Sequence, residues 1–90
     1  MSIISQHCYV SGRVQGVWYR SGAQKKARAL GLTGWVKNTD DGRVALLVCG
    51  DETRVAALVQ WLWKGPLFAR VTDVSIEAAN EESLQDFEIR

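Results

Sequence analysis

The chain of 90 residues alternates between two kinds of apolar periodicity. Ile3 to Ser11 alternates loosely between apolar and polar positions and is rich in β-formers, which predicts a strand. Gly12-Arg13-Val14-Gln15-Gly16 is not expected to continue it, because its two glycines punctuate the pattern. From Tyr19 to Leu30 the period becomes helical. Ala23, Ala27 and Leu30 share a stripe, Lys25, Lys26 and Arg28 lie off it, and Gly31 is the expected stop. Thr33 to Asn38 and Arg43 to Cys49 read as a second and third strand. They are joined by the hairpin segment NTDDG, in which Gly42 is expected to take a positive φ. The run VALLVC is almost wholly apolar, as in a central strand covered on both faces. An acidic start at Asp51 to Thr53 opens a second helix, whose face is Val55, Leu58, Val59 and Leu62; it runs to about Lys64 and ends at Gly65-Pro66. Arg70 to Ala78 is a fourth strand with Val74, Ile76 and Ala78 inward; Val71 is out of phase, which predicts a bulge near Thr72. NEESLQ reads as a loop, and Asp86 to Arg90 as a short edge strand with Phe87 and Ile89 on one face.

The resulting order, β-α-β-β-α-β with an added strand, predicts an α+β fold. It is the ferredoxin-like split β-α-β sandwich: an antiparallel-rich sheet of four to five strands with two helices on one face. The first and third strands are expected to be parallel central neighbours. The length predicts a single domain over residues 1–90. With 47% hydrophobic and 23% charged residues the composition is that of a globular protein, which excludes disorder, collagen and a disulfide-dense miniprotein.

The formal charge of +1 predicts no general attraction to nucleic acid or to an anionic membrane. Its distribution is more informative. Residues 1–43 hold seven basic and two acidic side chains, and residues 44–90 four basic and eight acidic. A basic first half suits a small anion better than a long polyanion, although charges that merely cover the surface would look the same. The first residues lack a secretory signal, no apolar run approaches a membrane span, and no lipidation motif is present. A cytoplasmic monomer is therefore expected. Cys8 and Cys49 have neither CxxC spacing nor a nearby His cluster, so no metal site is expected, and two free buried thiols suit a reducing compartment. Placement on neighbouring strands would leave a disulfide open as a second possibility.

The turn after the first strand carries the candidate chemistry. Glycines at both ends of Gly12–Gly16 allow successive N–H groups to converge, and the helix that follows adds its own free donors and positive dipole end. Arg20, in the first helical turn, has a guanidinium fork that matches two oxygens of a tetrahedral anion. Together these make a candidate cradle for a phosphate. The segment matches neither the P-loop nor the dinucleotide fingerprint, and taken alone it fits an ordinary strand-to-helix turn with a surface arginine better than a phosphate cradle. Asn38, at the end of the second strand, has an amide able to hold a water or simply to cap the turn.

Two motifs together go further. GRVQGV followed by Arg20, and then GWVKN-x-x-x-G-x-V-x-x-x-x-x-G from Gly34 to Gly50, resemble the two signatures of the acylphosphatases in order and spacing. The second is matched completely, and the first departs at Tyr19, where the family usually has Phe. The resemblance covers essentially the whole chain. It implies hydrolysis of a carboxyl-phosphate anhydride to carboxylate and inorganic phosphate, with water as nucleophile and neither metal nor other cofactor. It also implies catalytic roles for Arg20, which binds the phosphoryl group within the phosphate-binding amides of Gln15, Gly16, Val17, Trp18, Tyr19 and Arg20, and for Asn38, which orients the water. Such chemistry suits a chain without an obvious base, since a carboxylate leaves unaided and the substrate phosphate can accept the water proton. His7, within the first strand, is expected at the sheet surface. Trp18 and Trp35 are read either as an apolar wall for the acyl group or as rim packing, and Trp61 and Trp63 as structural. Two other functions compete. One is a single-stranded RNA reader, disfavoured because RVALLVC lacks the aromatics such sheets use. The other is an acylphosphatase-like domain that binds phosphate or carbamoyl phosphate without turnover.

Overall fold

Each periodic segment forms its expected element. The computed structural model describes residues 2–80 and 85–90. Among these, the order is β1 (Ile3–Arg13), α1 (Tyr19–Ala29), β2 (Thr33–Asn38), β3 (Val44–Asp51), α2 (Glu52–Lys64), β4 (Arg70–Ala78) and β5 (Phe87–Ile89). Of the expected NEESLQ loop, residues 81–84 lie outside the described residues.

The strands form one sheet in the order β4-β1-β3-β2-β5. β1 and β3 are central neighbours but antiparallel, not parallel as expected. The reason is the path of the chain. Helix α1 carries it back so that β2 runs parallel to β1, and the hairpin then reverses β3 between them. The sheet is antiparallel except where β5 joins the edge of β2 in parallel. A bulge sits where expected: Ser11 pairs with Asp73 and Gly12 with Val71, which skips Thr72. Contrary to expectation, β1 continues through Gly12 and Arg13. Gly12 allows this by close approach, since a Cβ there would lie 2.1 Å from the Arg70 carbonyl oxygen.

Both helices cover one face of the sheet. Ala23 and Ala27 of α1, and Val55, Leu58 and Leu62 of α2, meet Cys8, Val10, Val36, Val44, Leu46 and Val48 in the core. Helix α1 ends in a Schellman motif: Leu32 N–H donates to Ala27 O (2.9 Å) and Gly31 N–H to Arg28 O (3.0 Å). Phe87 is fully buried, and that burial contributes about 1.5–3 kcal/mol. It anchors a three-residue strand at the sheet edge. Ile76 and Ala78 share the phase of Val74 but stay exposed on the edge strand β4. Trp63, expected to be structural, is also exposed.

Among the described residues the other face has no helix, yet Ala45, Leu47 and Cys49 are buried on it. Long amphipathic side chains cover them. The Arg43 guanidinium lies 4.9 Å from the Tyr9 ring, and Lys37 Nζ and the Arg90 guanidinium lie 5.1 and 5.5 Å from the Trp35 ring. His7 sits in this layer, its ring 6.0 Å from that of Trp35. The two cysteines are free. Cys8 points into the core and Cys49 to the open face, where Ser5 Oγ donates to its sulfur at 3.1 Å. Adjacent strands therefore do not bring the thiols together. Burial pushes the Cys8 thiol up to about 11.

Candidate active site

A cleft of about 330 Å³ opens where α1 begins beside the ends of β2 and β5. It is lined by Val14, Gly16, Trp18, Tyr19, Arg20, Ser21, Asn38 and Ile89. Four of the six candidate phosphate-binding residues thus share one concavity with Asn38. The other two work from behind it. Val17 is buried among the core residues. Gln15 ties the turn to the β2–β3 hairpin, its Nε2 donating to Thr39 O (2.9 Å) and Arg43 O (2.8 Å).

The turn has an alternating backbone. Gly16 has φ 74° and Trp18 φ 67°, while Val17 and Tyr19 stay at negative φ. Left-handed residues alternating with right-handed ones turn successive N–H groups toward one side. Glycine at 16 takes this conformation without penalty, whereas Trp18 is the sole non-glycine at positive φ among the described residues, at a cost of about 1–2 kcal/mol. Trp18 is also the N-cap of α1, and among the described residues no side chain caps that helix. Among the described residues, no main-chain carbonyl accepts from the N–H groups of Gln15 to Ser21; the first bond of the helix is Gly22 N–H to Trp18 O, 3.0 Å. No acid stands in the first turn. The result is an uninterrupted set of free donors at a positive helix end, the arrangement that an anion completes.

Arg20 is half-buried at the rim of this set, and its Nη1 reaches the Arg90 main-chain oxygen at 3.4 Å. At that length the bond is weak, so most of the guanidinium's donor capacity remains for a ligand. Asn38 contributes the complementary group. Its Oδ1 is buried without a hydrogen-bond partner among the described residues. Leaving an acceptor unmet costs about 1–3 kcal/mol, and a water donating to it would recover that.

Tyr19 resolves its own departure from the family pattern. Its ring is buried against Trp61, with centroids 5.6 Å apart. Its hydroxyl donates to Leu62 O at 2.6 Å. In a continuing helix that carbonyl would accept from the N–H four residues on, but residue 66 is proline and has none. The phenol supplies the missing donor and fixes the start of α1 to the end of α2. Burial, followed by the neighbouring Cys8, raises the Tyr19 phenol above its ordinary range.

Ile89, Ser21 and Val14 also line the cleft and escaped the sequence reading as site residues. The shared phase of Phe87 and Ile89 was the available signal for Ile89. Trp35 lies on the open sheet face, so of the two tryptophans considered for an acyl wall only Trp18 stands at the cleft.

Fold and cleft together define a small α+β domain with a two-helix layer on one sheet face and a cleft where free N–H donors at a helix N-terminus meet Arg20 and Asn38. The acylphosphatase family pattern matches residues 6–89. A relative from Nitrosococcus oceani named acylphosphatase is 48% identical over 83 residues, covering 92% of this chain and 93% of its own. The solved acylphosphatase structure from Coxiella burnetii superposes with a TM-score of 0.94 at 44% identity, covering 98% of this chain and 93% of that one. The acylphosphatase structure from Bacillus subtilis gives 0.93 at 38% identity, covering 99% of each chain. The chain belongs to the acylphosphatase family, whose activity is the hydrolysis of acyl phosphates.

Proposed function

We propose that this chain hydrolyses acyl phosphates in the Gly16–Asn38 cleft, with Arg20 and Asn38 as its catalytic residues and without a metal ion. The carrying observation is that free N–H donors, an arginine and an unpartnered buried amide oxygen line one concavity. The N–H groups of Gln15 to Arg20 receive the terminal phosphoryl oxygens, and the guanidinium closes over them. This fixed positive field stands where charge is held as the phosphoryl group transfers, so its stabilisation requires no reorganisation at the moment of reaction.

Asn38 Oδ1 accepts one hydrogen from the attacking water, which aims a lone pair at phosphorus opposite the departing carboxylate. The P–O bond to the acyl group breaks as the water–phosphorus bond forms. The carboxylate is a weak base and leaves without protonation. No carboxylate or imidazole lines the cleft among the described residues, and the Tyr19 hydroxyl is committed to Leu62 O. The water's proton therefore passes to a phosphoryl oxygen, and the products are a carboxylate and inorganic phosphate.

Release of inorganic phosphate from acetyl and benzoyl phosphate, followed in buffer containing EDTA, tests this reading. The expected result is saturable turnover, competitively inhibited by phosphate and indifferent to the chelator. No turnover above the buffer rate would overturn it. A pH–rate profile that requires an enzyme base near neutrality would reject the route of the proton.

A further inference from the structure

The described donors account for the phosphoryl half of a substrate and leave its acyl half without a partner. Trp18 offers one. Its side chain is 77% exposed although it belongs to the cradle turn and lines the cleft. Ile89 lines the same cleft and is 41% exposed. The other apolar liners, Val14 and Tyr19, are turned into the core at 1% each. Two unfavourable features thus coincide at Trp18: a large ring left in water and a left-handed backbone. Strain of that kind persists where the surroundings enforce it and gathers at functional sites. The turn needs the left-handed backbone at position 18, but it does not need an indole there.

Resting on the acyl phosphate reading above, we infer that Trp18, backed by Ile89, is a shelf for the acyl group and selects substrates with a flat aromatic acyl moiety over small aliphatic ones. The indole face is anchored one residue from the helix start that holds the phosphate, so an aroyl group joined to that phosphate by a single anhydride oxygen remains within reach of the ring. Stacking and burial there favour the aromatic substrate and leave an acetyl group almost untouched.

The test compares kcat/KM for benzoyl and acetyl phosphate in the wild type, Trp18→Phe, Trp18→Ala and Ile89→Ala. Because the Trp18 N–H belongs to the cradle, the readout is the benzoyl-to-acetyl ratio, not either rate alone. Trp18→Ala is expected to lower that ratio about tenfold, chiefly through KM for benzoyl phosphate, with Trp18→Phe retaining most of it and Ile89→Ala losing about threefold. A second measurement uses inert probes, the Ki or calorimetric Kd of phenylphosphonate against methylphosphonate. The preference for the phenyl compound is expected to shrink in Trp18→Ala by a similar factor. An unchanged ratio in both measurements overturns the shelf. If the wild type turns over neither acyl phosphate, the proposed function falls, and the phosphonate pair still decides whether Trp18 is a platform.

Discussion

The two strand-to-helix joints of this fold are built to opposite ends. At the β3–α2 joint the strand passes directly into the helix. Asp51 caps it by accepting from Arg54 N–H, Glu52 puts an acid in the first turn, and Ser2 O accepts from Glu52 N–H at 2.9 Å. At the β1–α1 joint Val14 to Trp18 intervene, no side chain caps the helix, and the first turn holds Arg20 where α2 has an acid. One helix end satisfies its Glu52 and Arg54 N–H groups within the chain. The other leaves its own unmet and adds a cation. The contrast separates a capped helix N-terminus from one left open, and the cleft lies at only the open one of two topologically equivalent corners.

The largest way to break the contrast is Arg20→Ala. It is expected to lower kcat/KM about 10³-fold and to weaken phosphate inhibition, because it removes the guanidinium charge that lines the cleft. Steady-state kinetics with phosphate as competitive inhibitor reads both effects. Asn38→Ala comes next, with kcat lower by about 10²-fold and the phosphate Ki nearly unchanged, since in the proposed mechanism the amide serves the water and not the anion. A phosphate Ki that rises together with the fall in kcat would put Asn38 in the cradle instead.

Tyr19→Phe tests how the open corner is held in place. Removing the hydroxyl leaves Leu62 O without a donor beside Pro66, which is expected to cost about 1–3 kcal/mol in denaturant unfolding while kcat changes little. The same region makes the protein sensitive to alkali. Burial in the fold pushes the Cys8 thiol from its ordinary 9.0 up to about 11, and it raises the Tyr19 phenol in the same direction. Stability is therefore full below about pH 9 and falls as pH rises through 11, because the unfolded chain loses those protons first. Thermal melts across this range should slope less steeply in Cys8→Val.

The smallest effects sharpen the comparison by exchanging the two designs. Asp51→Ala removes the cap of α2 and is expected to cost about 1 kcal/mol with no change in activity. Ser21→Glu gives α1 the acid it lacks. It should stabilise the helix by about 0.3–1 kcal/mol while weakening phosphate binding. A Ser21→Glu variant that bound phosphate as tightly as the wild type would show that the α1 dipole end does not face the anion.

Much of this was legible in one dimension. The change from strand to helical period, the glycines and the single proline placed the elements, and the out-of-phase Val71 located the bulge at Thr72. Arg20 and Asn38 were readable because each sits at a fixed step from a strand or helix end. The misreadings came where distant segments meet. The direction of β3 depends on the return path through α1, and Gly12 extends β1 only because β4 lies against it. Trp18 and Trp35 look alike in the chain but fall on opposite sides of the sheet. Ile89 enters the cleft because Phe87, buried two residues earlier, pins β5 beside β2.

Local backbone preference and apolar spacing act over a few residues, so the sequence by itself determined the element order, the cradle turn and the helix left uncapped. Contacts between remote residues carry no such spacing rule. Only the tertiary structure decided that the Tyr19 hydroxyl would replace the N–H that Pro66 lacks, that Asn38 Oδ1 would be buried without a partner among the described residues, and which tryptophan would stand at the cleft. Each depends on the packing of surfaces whose separation is set in three dimensions.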